Sequence, residues 1–284
     1  MIKLAKNTFE IGLEKPVKLL HVTDTHLTLA DELDDEKKRQ LAKARGRDFG
    51  DVDGSVEANL REQIAYSKEN CDLLVHSGDL IDFVSHANVA KAREILKDDG
   101  IFFIAGNHEY SRWVGEAWED LSYRMTSYMQ MGFGLGVPMF WNSRVVGGVN
   151  IVGIDNGYYH FADWQTWRLR REAEKGLPIV LVFHDPLFEQ SLYDHHMAKP
   201  HADCAYIVGC DEEHLLPYSE FRAVQQRPDE PTLRMIDYIK SEPLIKLILT
   251  GHLHYNFESV IRDGLPQIVT GCGSDGTARE ITLE

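Results

Sequence analysis

Five short apolar runs in this 284-residue chain each stop at residues that bind metals. Val17–Val22 leads into Asp24-Thr25-His26, and Leu73–His76 into Gly78-Asp79-Leu80-Ile81-Asp82. The run 101–105 leads into Gly106-Asn107-His108-Glu109, 179–183 ends at His184, and 244–250 ends at Gly251-His252-Leu253-His254. Runs of this length and composition read as strands buried on both faces. In an open α/β sheet the strand C-termini share one edge, and ligands bind in the crevice beyond it. Carboxylates, imidazoles and a carboxamide from distant parts of the chain therefore converge there. That pattern implies a polynuclear metal site and hydrolytic chemistry.

Between these runs the periodicity changes to helical, which favours βαβ units. Val56, Leu60 and Ile64 share a helix face before the second run, and Val89, Ala92 and Leu96 do so after it. Leu233, Ile236 and Ile239 mark an amphipathic helix just before the last run. Paired strands are expected over 144–155, around Gly147-Gly148, and over 257–269, around Asp263-Gly264. Two long segments, 30–53 and 189–227, fit no regular connection. The first is mostly charged; the second holds four histidines, three tyrosines and two cysteines. Both leave from the metal edge and are placed to cover it, since loops this long in a compact domain are functional or disordered. The expectation is a single domain over 1–284 with these two insertions above the active site.

The length suffices for a core without disulfides. A net charge of −15 disfavours nucleic acid, which needs a basic surface. It still permits a phosphorylated substrate, because two divalent cations would add positive charge where that substrate sits. The acidic run 31–36 reads as a solvated face. Cys71, Cys204, Cys210 and Cys272 lack zinc-type spacing. No signal peptide is visible, and no apolar stretch is long enough to span a membrane. The expected setting is a reducing cytoplasm with free thiols, although Cys204 and Cys210 could pair in an exported protein.

Asp24 and His26 are two residues apart, as are His252 and His254, and in extended backbone such pairs point the same way. The glycines at 78, 106 and 251 sit where the chain must turn sharply or approach the ions closely. The order D-x-H, G-D-x-x-D, G-N-H-E, H, G-H-x-H resembles the calcineurin-like metallophosphoesterase superfamily, over Asp24 to His254. The resemblance implies a four-layer α/β/β/α sandwich of two mixed sheets, with a dinuclear site at the strand C-terminal edge. It implies that Asp24, His26, Asp79 and His254 hold one metal, and Asp79, Asn107, His184 and His252 the other. His108 is similar to the family's non-ligand histidine beside the leaving group, and Asp82 to the acid that orients it.

Physical chemistry is compatible with these roles. Two cations about 3.5–4 Å apart can generate a bridging hydroxide and clamp both ends of an in-line displacement. A bridging carboxylate such as Asp79 serves both ions, and Asn107 adds a neutral oxygen that leaves net positive charge for an anionic substrate. Nitrogen and oxygen donors without thiolate suit two divalent or trivalent ions among Mn, Fe, Zn and Ni.

Other residues have plainer readings. His21 and His76 lie within apolar runs and read as core histidines, while His195, His196, His201 and His214 read as loop residues. Arg112 is placed either to contact phosphate or to form a surface ion pair. Tyr110, Trp113 and Trp118 form either an aromatic wall or core. Gly132-Phe133-Gly134-Leu135-Gly136 follows a helix rather than a strand and so is not a dinucleotide fingerprint.

Two departures narrow the function. Phe83 follows the G-D-x-x-D motif where Ser/Thr protein phosphatases of the superfamily carry arginine, and Asp185 stands where many relatives have a second histidine before proline. The expected enzyme is a metal-dependent phosphoric ester hydrolase acting on a small phosphomonoester or phosphodiester, such as a cyclic nucleotide. A nuclease of the same superfamily and a non-catalytic binding scaffold are the alternatives. The scaffold is the weaker of these, because such scaffolds lack ligands that this chain carries.

Overall fold

The computed structural model describes residues 2–51, 53–114 and 120–284. Among these, β1 (Lys3–Phe9), β2 (Val17–Val22), β3 (Leu73–His76), β4 (Ile101–Phe103) and β11 (Thr277–Leu283) form one sheet, in the order β1-β11-β2-β3-β4. A second sheet holds β5 (Trp141–Val146), β6 (Val149–Ile154), β7 (Ile179–Val182), β8 (Ile245–Thr250), β9 (Phe257–Arg262) and β10 (Leu265–Val269), in the order β5-β6-β7-β8-β10-β9. Both are mixed: β2, β3 and β4 run parallel, as do β6, β7, β8 and β10, with antiparallel pairing at β2–β11, β5–β6 and β9–β10. The hairpins expected around Gly147-Gly148 and Asp263-Gly264 are β5–β6 and β9–β10.

The sheets lie face to face because their strands are apolar on both sides. In the β7 run, Val180 and Val182 point to the other sheet while Ile179, Leu181 and Phe183 point outward. The inner layer joins Val17, Leu19, Leu73, Val75, Phe102 and Ile104 of the first sheet to Val149, Ile151, Leu247 and Leu249 of the second. The same alternation turns His21 into this layer. Its Nδ1 lies 2.7 Å from Thr270 Oγ1 and its Nε2 2.9 Å from Ser77 Oγ, so it ties the sheets together. Burial pushes its pKa down to about 3, so the tie is a neutral imidazole, and the core reading of His21 holds. His76 is likewise buried, 2.9 Å from Thr25 Oγ1.

Helices cover the outer faces: α1 (Glu36–Asp48), α2 (Ser55–Asn70), α3 (His86–Ile95), α4 (Leu121–Gln130), α5 (Asp163–Ala173), α6 (Gln190–Met197), α7 (Glu212–Leu215), α8 (Glu220–Gln226) and α9 (Glu230–Ser241). Ile64 and Tyr66 of α2 pack against Leu20, Val22 and Leu74. Leu169 of α5 and Met235, Ile236 and Ile239 of α9 pack against Ile179, Leu181, Ile245 and Ile248. This is the expected four-layer sandwich. Leu233 is a correction: it is exposed, and Thr232 and Met235 complete the buried stripe of α9. Among the described residues no helix is long and apolar enough to cross a membrane.

The acidic run 31–36 is more than a solvated face. Asp34 is buried and accepts from the backbone N–H of His86 at 2.8 Å, and Asp35 caps α1 by accepting from Lys38 N at 2.8 Å. Both long segments carry helices where irregular chain was expected: α1 in 30–53, and α6, α7 and α8 in 189–227. Cys204 and Cys210 are buried and unpaired.

Candidate metal centre

The motif residues follow strands of both sheets. Asp24 and His26 follow β2, Asp79 and Asp82 follow β3, and Asn107 and His108 come after β4; His184 follows β7, and His252 and His254 follow β8. The structure brings all nine together where the two C-terminal edges meet, a convergence that depends on the face-to-face arrangement.

The local geometry corrects one expectation. The D-x-H and H-x-H pairs do not converge through extended backbone. Asp24 (φ 52°), His26 (φ 50°), Asp79 (φ 56°), His252 (φ 68°) and His254 (φ 57°) all lie in the left-handed region. Non-glycine residues pay for that conformation in steric strain and cluster at functional sites. Of the motif glycines, Gly78 alone turns the chain with a positive φ, at 105°. Gly106 and Gly251 make room: a Cβ on the first would strike Asp79 Oδ1, and one on the second Thr23 Oγ1 and Asp24 Oδ2.

The carboxylates are held on one side and open on the other. Asp24 Oδ2 accepts from Thr23 Oγ1 at 2.8 Å and from His252 N at 2.9 Å, the latter across the two sheets. Its Oδ1 faces His254 Nε2 (3.2 Å), His26 Nε2 (3.6 Å) and His184 Nε2 (3.8 Å). Asp79 Oδ1 accepts from His108 N at 2.9 Å, and Oδ2 lies between His184 Nε2 (3.0 Å) and His26 Nε2 (3.7 Å). Asn107 Oδ1 is buried without a hydrogen-bond partner, and Asp24 Oδ1 and His184 Nε2 are buried and meet only other motif groups, without well-aligned hydrogen bonds. Such orphans are rare in a folded protein and call for an explanation. Asp24, His26 and His254 can offer donor atoms within 4.8 Å of one another, and so can Asp79, His184 and His252. This donor set fits cations.

Electrostatics point the same way. Burial opposes ionisation of Asp24 and Asp79, yet His184 and the other imidazoles hold both carboxyls well below the usual range. Burial likewise opposes charge on His26, but Asp24, Asp82 and Asp79 raise its pKa to about 10. The carboxylates thus hold positive charge beside them, as protons where no cation is bound.

Asp82 is a buried hub. Its Oδ1 lies 3.0 Å from His26 Nδ1 and 3.2 Å from His108 Nδ1, while His108 Nδ1 is also 2.7 Å from the Asp82 carbonyl oxygen. Arg45 of α1 donates Nε to Oδ2 at 2.6 Å and Nη2 to Oδ1 at 2.9 Å. Phe49, at the end of the same helix, stacks on His26 with ring centroids 4.3 Å apart.

The sequence profile of the calcineurin-like phosphoesterase family matches residues 17–256. The chain belongs to that family. A "probable cyclic nucleotide phosphodiesterase" of Psychrobacter arcticus is 36% identical over 104 residues, 35% of this chain and 34% of the relative. The match thus spans about a third of that relative's length. Among solved structures, the calcineurin-like phosphoesterase YfkN of Bacillus subtilis aligns at 14% identity and TM-score 0.46, covering 93% of this chain and 87% of that one. A dimetal phosphatase from Danio rerio aligns at 14% identity and TM-score 0.44, covering 90% and 88%.

Beside the edge of this calcineurin-like phosphoesterase lies a cavity of about 270 Å³. Asn107, His108, Asp185 and His252 line its inner side, with Arg45, Tyr158, Tyr159, Tyr206, Arg222 and Gln225 around them. Both long segments therefore contribute wall, through Arg45 and through Tyr206, Arg222 and Gln225. Several of these residues were missed by sequence reasoning because no motif marks them. Glu109 is another: buried, it accepts from the backbone N–H groups of Asp79 (2.8 Å), Leu80 (2.7 Å) and Gly106 (2.7 Å), fastening two motif loops together. Asp185 accepts from Tyr159 N at 3.1 Å and lies 3.5 Å from His252 Nδ1, and burial raises its pKa to about 7. Among the described residues no hydrogen bond joins its side chain to His184, although its charge acts on that imidazole.

Of the two readings of the aromatic residues, core holds for Tyr110, which donates to Asp155 Oδ2 at 3.0 Å, and Trp113 sits under Lys38 Nζ at 4.1 Å. Trp118 lies outside the described residues. The Arg112 guanidinium stacks over Tyr123, 4.1 Å from the ring centroid, and is not part of the cavity wall. His214 bonds Asp211 within the second long segment and His196 bonds Tyr255 outside it, and the described residues show no third metal cluster among the segment's histidines.

Proposed function

We propose that this family member is a dinuclear metal-dependent phosphoesterase acting on a small phosphomonoester or phosphodiester. In this reading Asp24, His26, Asp79 and His254 hold one cation, and Asp79, Asn107, His184 and His252 the other. The observation that carries it is the buried convergence of Asp24, Asp79, His26, His184, His252 and His254, in which Asp24 Oδ1 and His184 Nε2 meet only other motif groups and Asn107 Oδ1 has no partner, beside a cavity that His108 lines. Bound cations would supply the charge that offsets an anionic ester and acidifies water.

The protein's own groups do the rest. Asn107, His108, Arg45 and Arg222 give the cavity a surface suited to a phosphate ester despite the net charge of −15. Asp79 and Asp82 raise the proton affinity of His108 against burial, which suits it to protonate the departing oxygen. Asp82 keeps Nδ1 of that ring engaged, so that Nε2 serves the substrate. Segments 30–53 and 189–227 are insertions over the active site of one domain, and the cavity they enclose selects small substrates. The partial match to a cyclic nucleotide phosphodiesterase supports a diester, including a cyclic nucleotide.

The test is turnover of bis-p-nitrophenyl phosphate and p-nitrophenyl phosphate by Mn-loaded protein, with metal content measured in parallel. Two ions per chain and faster diester hydrolysis are expected. Two bound ions without turnover of any phosphoester would instead favour a binding scaffold.

A further inference from the structure

The loop after β6, residues 155–159, carries none of the motif residues, yet it bonds three of the four residues assigned above to the second cation, Asn107 and His184 through their main chain and His252 through its ring. Tyr158 donates its hydroxyl to the Asn107 carbonyl at 2.9 Å. Asn156 Oδ1 accepts from the backbone N–H of both His184 and Asp185 at 3.1 Å, while its Nδ2 donates to the Asp185 carbonyl at 2.7 Å. The Tyr159 hydroxyl lies 3.1 Å from His252 Nε2. Among the described residues no hydrogen bond joins this loop to Asp24, His26 or His254.

The loop is also held in a conformation its sequence does not favour. Tyr158 (φ 65°) and Tyr159 (φ 69°) are consecutive non-glycine residues in the left-handed region, a strained conformation that persists only where the surroundings enforce it. Those surroundings are visible. Asp155 Oδ1 accepts from Gly157 N at 2.9 Å, its Oδ2 accepts from Arg124 and Tyr110, and Asp185 Oδ2 accepts from Tyr159 N. Strain sustained by a buried network beside a ligand set is the mark of a positioning device.

We propose that the Asp155–Tyr159 loop positions the second cation's ligands selectively, with Tyr159 as its decisive residue. Tyr159 Oη stands where it can accept a proton from His252 Nε2, which would leave Nδ1 as the nitrogen free to hold a cation. Partners of this kind fix the tautomer and ring plane of a metal-binding histidine, and their loss typically costs about 10–100-fold in metal affinity or activity. Tyr158 acts on Asn107 in the same way, by anchoring its main chain. The inference rests on the dinuclear reading and adds an asymmetry to it: the first cation does not depend on this loop.

The experiment compares Mn binding by the unaltered full chain, Tyr159→Phe, Tyr158→Phe and the double variant, by calorimetry and by metal content after dialysis. Thermal melts of the metal-free proteins serve as a folding control. For Tyr159→Phe, one equivalent should bind as in the parent and the other about 10–100-fold more weakly. Turnover should return at high Mn. Two equivalents of unchanged affinity in a parent-like fold would overturn the loop's role and leave the dinuclear reading standing. Fewer than two equivalents on the parent itself would overturn both. Equal weakening of both equivalents would overturn the selectivity.

Discussion

The metal edge and the walls above it are built by opposite means. At the edge, Asp24, His26, Asp79, Asp82 and His184 are buried almost completely, and most sit in or beside strained turns at strand ends. The walls come from 30–53 and 189–227, where α1 buries only Ala42 and Gly46. They reach the cavity through a few side chains such as Arg45, Tyr206 and Arg222. Buried, strained and mutually bonded groups hold one geometry; the partly exposed side chains of Arg45, Tyr206 and Arg222 can be exchanged without disturbing the sheets. In the function proposed above the edge would carry the reaction and the walls the choice of substrate, a division that substitutions can test.

The largest effect should come from Asp79→Ala, which removes the carboxylate between the two imidazole groups. Both ions and all turnover should be lost, and metal analysis showing two ions with full activity would end the bridging role. Next is His108→Ala, expected to slow turnover by about 10²–10⁴-fold while both ions stay bound. Loss of metal in that variant would make His108 a ligand instead.

Arg45→Ala probes the boundary between the regions, because Arg45 belongs to a wall helix yet makes two bonds to Asp82. A loss of about 10–100-fold in turnover is expected, with partial rescue by lysine. Unchanged kinetics would separate wall from edge more sharply than proposed here. The smallest effect belongs to Arg222→Ala. Arg222 donates to Gln225 Oε1 at 2.9 Å and Tyr206 Oη at 3.2 Å, so its removal should loosen the outer wall. KM should rise by about 2–10-fold with kcat unchanged, the signature of lost uniform binding. A matching fall in kcat would move Arg222 into the chemistry.

The same contrast explains what the sequence could reveal. Each motif residue lies within a few positions of an apolar run, so strand, turn and ligand are read from one short window. The left-handed backbone at Asp24 and His254 leaves no such trace, because Asp and His adopt it only under tertiary constraint. β1 and β11 were overlooked because their alternation carries charges, with Lys6 paired to Glu280 across 274 positions. Arg45 reaches Asp82 across 37 positions and Tyr159 reaches His252 across 93. Contacts at such separation have no local signature, and each depends on the two sheets already lying face to face.

That arrangement has a mechanical consequence. The site sits on a seam: three of its loops belong to one sheet and two to the other, already stitched by the bond from His252 N to Asp24 Oδ2 and by His21 on Thr270. Pulling the sheets apart would load these stitches first. A cation gripped from both sides would act as a rivet through two plates, so the force needed to open the sandwich should rise when the centre is filled.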